Sequence, residues 1–149
     1  MRAVVHRVKL TALSVDGQVV SQIPFGLVVY LGVKKGDTKE TAYKLANKIC
    51  ALRVFEDENG KMNKSVKDVG GQILSVSQFT LYGDVSRGNR PSFTEAESPE
   101  IAKSIYEYFC ECLENAGVVT KRGIFGADMK ISQLNDGPVT IIYDLWLTF

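Results

Sequence analysis

Only one histidine, His6, occurs in the 149 residues, so any imidazole-dependent mechanism must run through a residue near the start of the chain. The three cysteines, Cys50, Cys110 and Cys112, form an odd set without a CxxC pair. Zinc sites need three or four Cys or His ligands at defined spacing, so no metal centre is expected, and a disulfide framework has no support either. Such thiols fit a reducing compartment and read as buried or half-buried structural groups. Neither the Walker phosphate loop nor GxGxxG is present, which removes nucleotide hydrolysis and dinucleotide redox chemistry; no cofactor is expected. No apolar run approaches the ~20 residues that cross a bilayer, and the apolar stretch in MRAVVHRVKL is too short for a secretory leader. The expected address is therefore the cytoplasm, with no membrane partner. Charge of one sign is also lacking: 18 Lys and Arg oppose 17 Asp and Glu, a net +1. That balance excludes a polybasic coat on DNA or RNA, yet permits contact with one end of an RNA.

What is present is an ordinary globular composition, 45% hydrophobic and 23% charged. A chain of this length buries roughly 70% of its unfolded surface and needs no staple. One domain spanning residues 1–149 is expected. Residues 3–15 alternate as a strand whose apolar phase changes near Ala12, suggesting a bulge or bend. Asp16-Gly17 marks a hairpin to a returning strand at 18–23, closed by Pro24. The doubly apolar run 25–33 reads as a central strand. Asp37 with Glu40 resembles a capping box ahead of a helix burying Ala42, Leu45, Ala46 and Ile49. A short strand at 52–56, a polar loop at 61–71 and an inner strand at 72–81 follow. Residues 82–97 form the longest irregular connection, a place to look for function. Ser98-Pro99-Glu100 starts a second helix, with Ile101, Ile105, Tyr108, Phe109, Cys112 and Leu113 inward, ending at Asn115 and Gly117. Strands at 118–121, 129–134 and 139–147 complete the chain, the last two joined by Asn135-Asp136-Gly137-Pro138. This order predicts an α/β domain with two main helices covering a mixed, largely antiparallel sheet.

Two segments stand out where strands end. Ser77-Gln78-Phe79-Thr80 offers two hydroxyls and an amide beside a ring, suited to a carbonyl or a nucleobase edge; the plainer reading is a strand end with satisfied polar groups. Asn135-Asp136-Gly137-Pro138-Val139-Thr140 joins a glycine, which lets a ligand approach the backbone, to a proline able to adopt the cis form; alone it reads as a hairpin turn. Arg87 and Arg90 lie in the long connection and can reach a phosphate, whereas Lys34-Lys35 and Lys121-Arg122 read as solvated turn residues.

Together these segments resemble the SQxT and NxGPVT motifs of the D-aminoacyl-tRNA deacylase family. The likeness extends through Arg7-Val8, Gly60-Lys61-Met62-Asn63, the segment from Arg87 to Phe93, Ser98-Pro99 and Phe125-Gly126-Ala127-Asp128-Met129, and so covers nearly the whole chain. His6 departs from the glutamine of many relatives, and the tail from Leu147 to Phe149 is particular to this sequence. The resemblance implies a homodimer of three-layer α/β/β domains that cleaves the ester joining a D-amino acid, or glycine, to the acceptor end of tRNA. It assigns chiral selectivity to Gly137, Pro138 and Arg7, with the turn entering the partner subunit's site and Arg7 donating to the turn's carbonyls. It places Ser77, Gln78, the Phe79 backbone and Thr80 at the chemistry, and Asn135 and Met129 among the groups holding substrate.

The ester is already activated, so positioning, water and oxyanion donors suffice. Thr80 is a nucleophile only if a base adjoins it; the favoured reading gives that assistance to the terminal adenosine's 2′-hydroxyl, with backbone amides near Phe79 and Thr80 steadying the oxyanion. Two other classes compete. One is a noncatalytic RNA or protein interaction module using the loop from Arg87 to Arg90; the other is an unrelated small esterase relying on His6.

Overall fold

The computed structural model describes residues 1–145. A five-stranded sheet carries the fold in the order β6-β5-β2-β1-β7. Its strands are β1 (Arg2–Val15), β2 (Gln18–Gly32), β5 (Gln72–Ser77), β6 (Thr120–Arg122) and β7 (Met129–Asp144), while β3 (Phe55–Glu56) and β4 (Met62–Lys64) make a separate ribbon. Pairs β1/β2 and β1/β7 are antiparallel and pairs β2/β5 and β5/β6 parallel, so the sheet is mixed as expected. Two helices, α1 (Lys39–Cys50) and α2 (Pro99–Asn115), cover one face. Ala42, Leu45, Ala46 and Ile49 of α1 and Ile105, Phe109 and Leu113 of α2 are buried with Ala3, Val5, Leu27, Val29 and Leu31 of the sheet. Burying each such side chain contributes roughly 1.5–3 kcal/mol before entropic losses.

The opposite face has its own core of Val8, Leu13, Ile23, Val28, Leu74 and Val76, against which Val15, Met129 and Ile131 pack. The far halves of β1, β2 and β7 fold back over the sheet there. Ser21 donates to the Arg122 carbonyl, Tyr30 donates to Gln133 at 2.6 Å, and a Cβ on Gly123 would meet Leu13 Cδ1 at 3.1 Å. Helices, sheet and folded-back ribbon are thus the three layers.

The fold-back explains two departures from the sequence reading. Pro24 does not close a strand; β2 runs through it from Gln18 to Gly32. The β1/β2 ladder pairs Lys9 with Phe25 and Thr11 with Ile23, skipping Leu10 and Pro24. Proline has no N–H to offer, and opposite it Leu10 takes a positive φ of 43° and turns its side chain out, 74% exposed. The irregularities therefore lie at Leu10 and at the Leu13/Ser14 register shift, on either side of Ala12. Gly26 is needed close by: its φ is +144° and a Cβ would sit 1.8 Å from the Gln72 carbonyl oxygen.

Other elements also differ in detail. The capping box of α1 uses Thr38 and Thr41, because Asp37 instead accepts from the Lys34 N–H and the Met1 amine. Part of the expected polar loop pairs as β4 with β3, and Asp57, its carboxyl pKa lowered chiefly by Asn63 and then by the Lys61 and Asn59 N–H groups, ties that hairpin. Strand β5 stops at Ser77, and Phe79–Tyr82 forms a 3-10 turn. On α2, Ile101 is exposed, while Ala102, Tyr106 and Cys110 are buried. The strand expected at 118–121 forms at Thr120–Arg122. No hairpin divides 129–134 from 139–147: β7 is one strand with a loop-out, since Val8 pairs with Asn135 and His6 with Thr140. The tail from Leu147 to Phe149 lies outside the described residues.

Candidate active site

Strand β5 enters the sheet interior as Gln72–Ser77 and ends where Gln78 donates its N–H to the Leu31 carbonyl at 2.7 Å. The chain then turns through Phe79–Tyr82. Arg2 fixes that turn, donating from Nη1 to the Leu81 carbonyl at 2.6 Å while its guanidinium lies 4.7 Å from the centre of the Tyr82 ring. A cleft of about 200 Å³ opens at this strand end, lined by Ser77, Gln78, Phe79, Thr80, Met129, Leu31, Val33, Ala102, Tyr106 and Phe125 among others. The structure thus gathers the whole SQxT segment and Met129 around one cavity.

Its chemistry is sparse. Gln78 Nε2 donates to Thr80 Oγ1 at 3.1 Å, and among the described residues no base bonds to that hydroxyl. Among the described residues the Phe79 and Thr80 N–H groups have no acceptor, as befits the first residues of a helical turn. The cleft thus offers, among the described residues, unpaired backbone N–H donors next to a hydroxyl that has no basic partner. Tyr106 braces the floor: its hydroxyl donates to the Ser75 carbonyl at 2.7 Å, and burial keeps its phenol protonated far above the usual range. Cys110 donates to Ser75 Oγ at 3.4 Å beneath it, its thiol pushed up by burial. Cys50, Cys110 and Cys112 are all buried and unbridged.

His6 does not serve Thr80. Its Nδ1 lies 3.1 Å from Thr140 Oγ1, and its ring meets Tyr30 edge-on at 5.9 Å. It shares a shallow polar hollow with Val4, Tyr30, Gln78 and Leu81, and burial lowers its pKa below 6.5.

Arg7, Asn135, Gly137 and Pro138 form a second group away from the cleft. The Gly137-Pro138 peptide bond is cis. Arg7, only 8% exposed, donates from Nε to the Asp136 carbonyl at 3.0 Å and from Nη1 to the Val54 carbonyl at 2.7 Å. Its Nε is also 3.5 Å from the Asp136 carboxylate. Gly137 has φ +129°, and a Cβ there would come within 3.0 Å of Arg7 Nη2. Asn135 is exposed and accepts from Gln133 Nε2 at 2.6 Å. Ser77 pairs with Leu31, Leu31 with Ala3 and Ala3 with Tyr143, five residues from Pro138 on β7. Three strand spacings and that length of strand put the turn about 20 Å from its own chain's cleft.

A sequence profile of the family described as D-Tyr-tRNA(Tyr) deacylase matches residues 4–144. The chain belongs to this family. Similar proteins include a D-aminoacyl-tRNA deacylase of Carboxydothermus hydrogenoformans, 53% identical over 145 residues, covering 97% of this chain and 100% of that one. Another, from Aquifex aeolicus, is 56% identical and covers 97% of each chain. Among solved structures, one titled c-Myc DNA Unwinding Element Binding Protein superposes with a TM-score of 0.92 at 43% identity, covering 97% of this chain and 99% of that one. A probable eukaryotic D-amino acid tRNA deacylase shares the fold, with a TM-score of 0.81 at 18% identity over 97% of this chain and 98% of its own.

The family's SQxT segment therefore sits in a cleft and its NxGPVT segment at a separate, anchored loop-out. Sequence reasoning missed the α2 wall. Ala102 and Tyr106 lie on the helix's buried side, and a 3.6-residue period does not distinguish a side chain facing core from one facing a cavity.

Proposed function

We propose that this protein hydrolyses the ester between a D-amino acid, or glycine, and the 3′ end of tRNA, releasing both and sparing L-aminoacyl-tRNA. The observation that carries the reading is the cleft at the end of β5, where, among the described residues, the Phe79 and Thr80 N–H groups have no acceptor and the Thr80 hydroxyl has no base. Such a site suits an activated ester. Water adds to the carbonyl carbon, the two amides hold the oxyanion, and the ribose 3′-oxygen leaves with a proton relayed by the neighbouring 2′-hydroxyl. Gln78 orients Thr80, and Met129 closes one side of the space.

Handedness is read by the Gly137-Pro138 turn of a second copy. A carbonyl held near the substrate's α-carbon accepts from the ammonium of one enantiomer and collides with the side chain of the other, while glycine has no side chain to exclude. The distance of about 20 Å between turn and cleft within one chain favours this shared arrangement. So does β7, whose outer edge has no strand partner among the described residues and bears exposed Leu134 and Ile142. Asn135 flanks the turn, and Arg7 positions it. Translation-linked substrate and the absence, among the described residues, of any helix fit to cross a membrane accord with a cytoplasmic site of action.

Incubation with D-Tyr-tRNA and L-Tyr-tRNA tests the reading: the D ester is cleaved and the L ester persists. Equal rates, or an intact D ester, refute it. The name of one similar structure refers to DNA; a net charge of +1 gives general DNA binding no electrostatic support here.

A further inference from the structure

The connection between the 3-10 turn and α2, residues 83–98, is tightly built for an exposed loop. Asp84 and Ser92 exchange both backbone hydrogen bonds at 2.8 and 2.9 Å, and the Asp84 carboxylate accepts from the Ser86 N–H at 2.9 Å. Phe93 packs edge-on against Phe79 at 5.1 Å, fastening the loop to the wall of the cleft. At the loop's other end the Glu95 carbonyl accepts from the Lys35 N–H at 3.0 Å, and Ala96 bridges to Lys34. Between these ties lies a polar concavity of about 560 Å³, lined by Arg87, Asn89, Arg90, Ser92 and Thr94 together with Asp84 and Glu95.

Arg87 and Arg90 are exposed at this concavity, and neither has an ion-pair partner among the described residues. Asp84 spends its carboxylate on the loop's own backbone. Two unspent guanidinium forks beside hydroxyl and amide donors match phosphodiester oxygens, which take bidentate donors. Arg90 stands three residues from Phe93, so at most about 10 Å of chain separates it from the cleft wall.

We propose that Arg87 and Arg90 grip the phosphodiester backbone of the RNA strand leading into the cleft, holding the acceptor end while its terminal ester lies at Phe79 and Thr80. This rests on the deacylase reading and adds to it the part of the substrate recognised outside the cavity. A tied loop costs little entropy to order on binding, which makes two exposed arginines worth more than two on a free segment. Lys34 and Lys35 are tied to the same loop through their backbone.

The test compares D-Tyr-tRNA with D-tyrosyl-adenosine, which has the ester and the nucleoside but no phosphate. The double variant R87A/R90A raises KM for the tRNA about tenfold at low salt with kcat unchanged. It also flattens the slope of log kcat/KM against log salt by about 1.5, two phosphate contacts' worth. Turnover of D-tyrosyl-adenosine stays at the wild-type level, and R87K/R90K restores most of the salt slope. Equal losses on both substrates would mean that the loop merely supports the cleft, and an unchanged KM for the tRNA would mean that it touches no RNA; either overturns the proposal. Should the wild type cleave neither substrate, the deacylase reading fails by itself. Retention of uncharged tRNA on filters then decides the loop, with weaker, less salt-sensitive retention of R87A/R90A supporting it and equal retention overturning it.

Discussion

Replacing Arg7 separates anchoring from chemistry more cleanly than any change in the cleft. Its guanidinium joins the Val54 carbonyl, at the end of the α1 connection, to the Asp136 carbonyl of the loop-out on β7. Hydrogen bonds from a charged donor contribute about 1.5–3 kcal/mol each, and the buried carbonyl left at Val54 would find no substitute. Allowing for partial exposure at Asp136, R7A should cost about 3 kcal/mol, which for a chain of this size lowers Tm by roughly 6–12 °C. R7K reaches one carbonyl but not both, and should recover less than half of that loss. In the proposed reaction both enantiomers use the same folded population, so the ratio of D to L turnover is insensitive to stability and reports the turn's position. That ratio should fall at least tenfold in R7A, equivalent to about 1.4 kcal/mol of lost discrimination. Thermal denaturation and parallel deacylation of D-Tyr-tRNA and L-Tyr-tRNA supply the two readings. An R7A protein with wild-type Tm would refute the anchoring argument, and an unchanged D to L ratio would refute the positioning role.

Three further outcomes follow from the geometry. T80A should keep kcat within about tenfold of wild type in single-turnover deacylation, whereas loss of a covalent nucleophile would cost on the order of 10⁴-fold or more. G26A should fail to reach the native state, since its Cβ would fall 1.8 Å from the Gln72 carbonyl oxygen at the first pair of the β2/β5 ladder; circular dichroism of the purified variant checks this. For His6, burial lowers the folded pKa below 6.5, so just under that value the unfolded chain binds the extra proton. Its contribution to stability is therefore complete above the unfolded pKa and is lost as pH falls through the folded one. H6Q should flatten the decline of Tm between about pH 6.5 and 5, and a decline identical to that of wild type would count against it.

Local rules identified most elements because local physics makes them. The α1 face of Ala42, Leu45, Ala46 and Ile49, the Asp16-Gly17 hairpin and the first-turn Pro99 of α2 each depend on near neighbours. Errors arose where distant backbone decided the outcome. Pro24 lies within a strand because Leu10 bends away opposite it, and residues 136–139 bulge from one continuous β7 because β1 pairs on both sides of them. Turn chemistry looks the same in a hairpin and in a loop-out; only the partner strand distinguishes them.

The order of residues by itself determined the fold class, the family and the two segments that carry it, since those are written in composition, period and motif. Tertiary structure alone decided how they are arranged. It set Ser77 to Thr80 around a cavity walled by α2, tied the Gly137-Pro138 loop-out to Val54 through Arg7, and kept the two some 20 Å apart. Pairing register and side-chain reach connect residues 47 and 129 positions apart in the chain, and no local pattern encodes a distance of that kind.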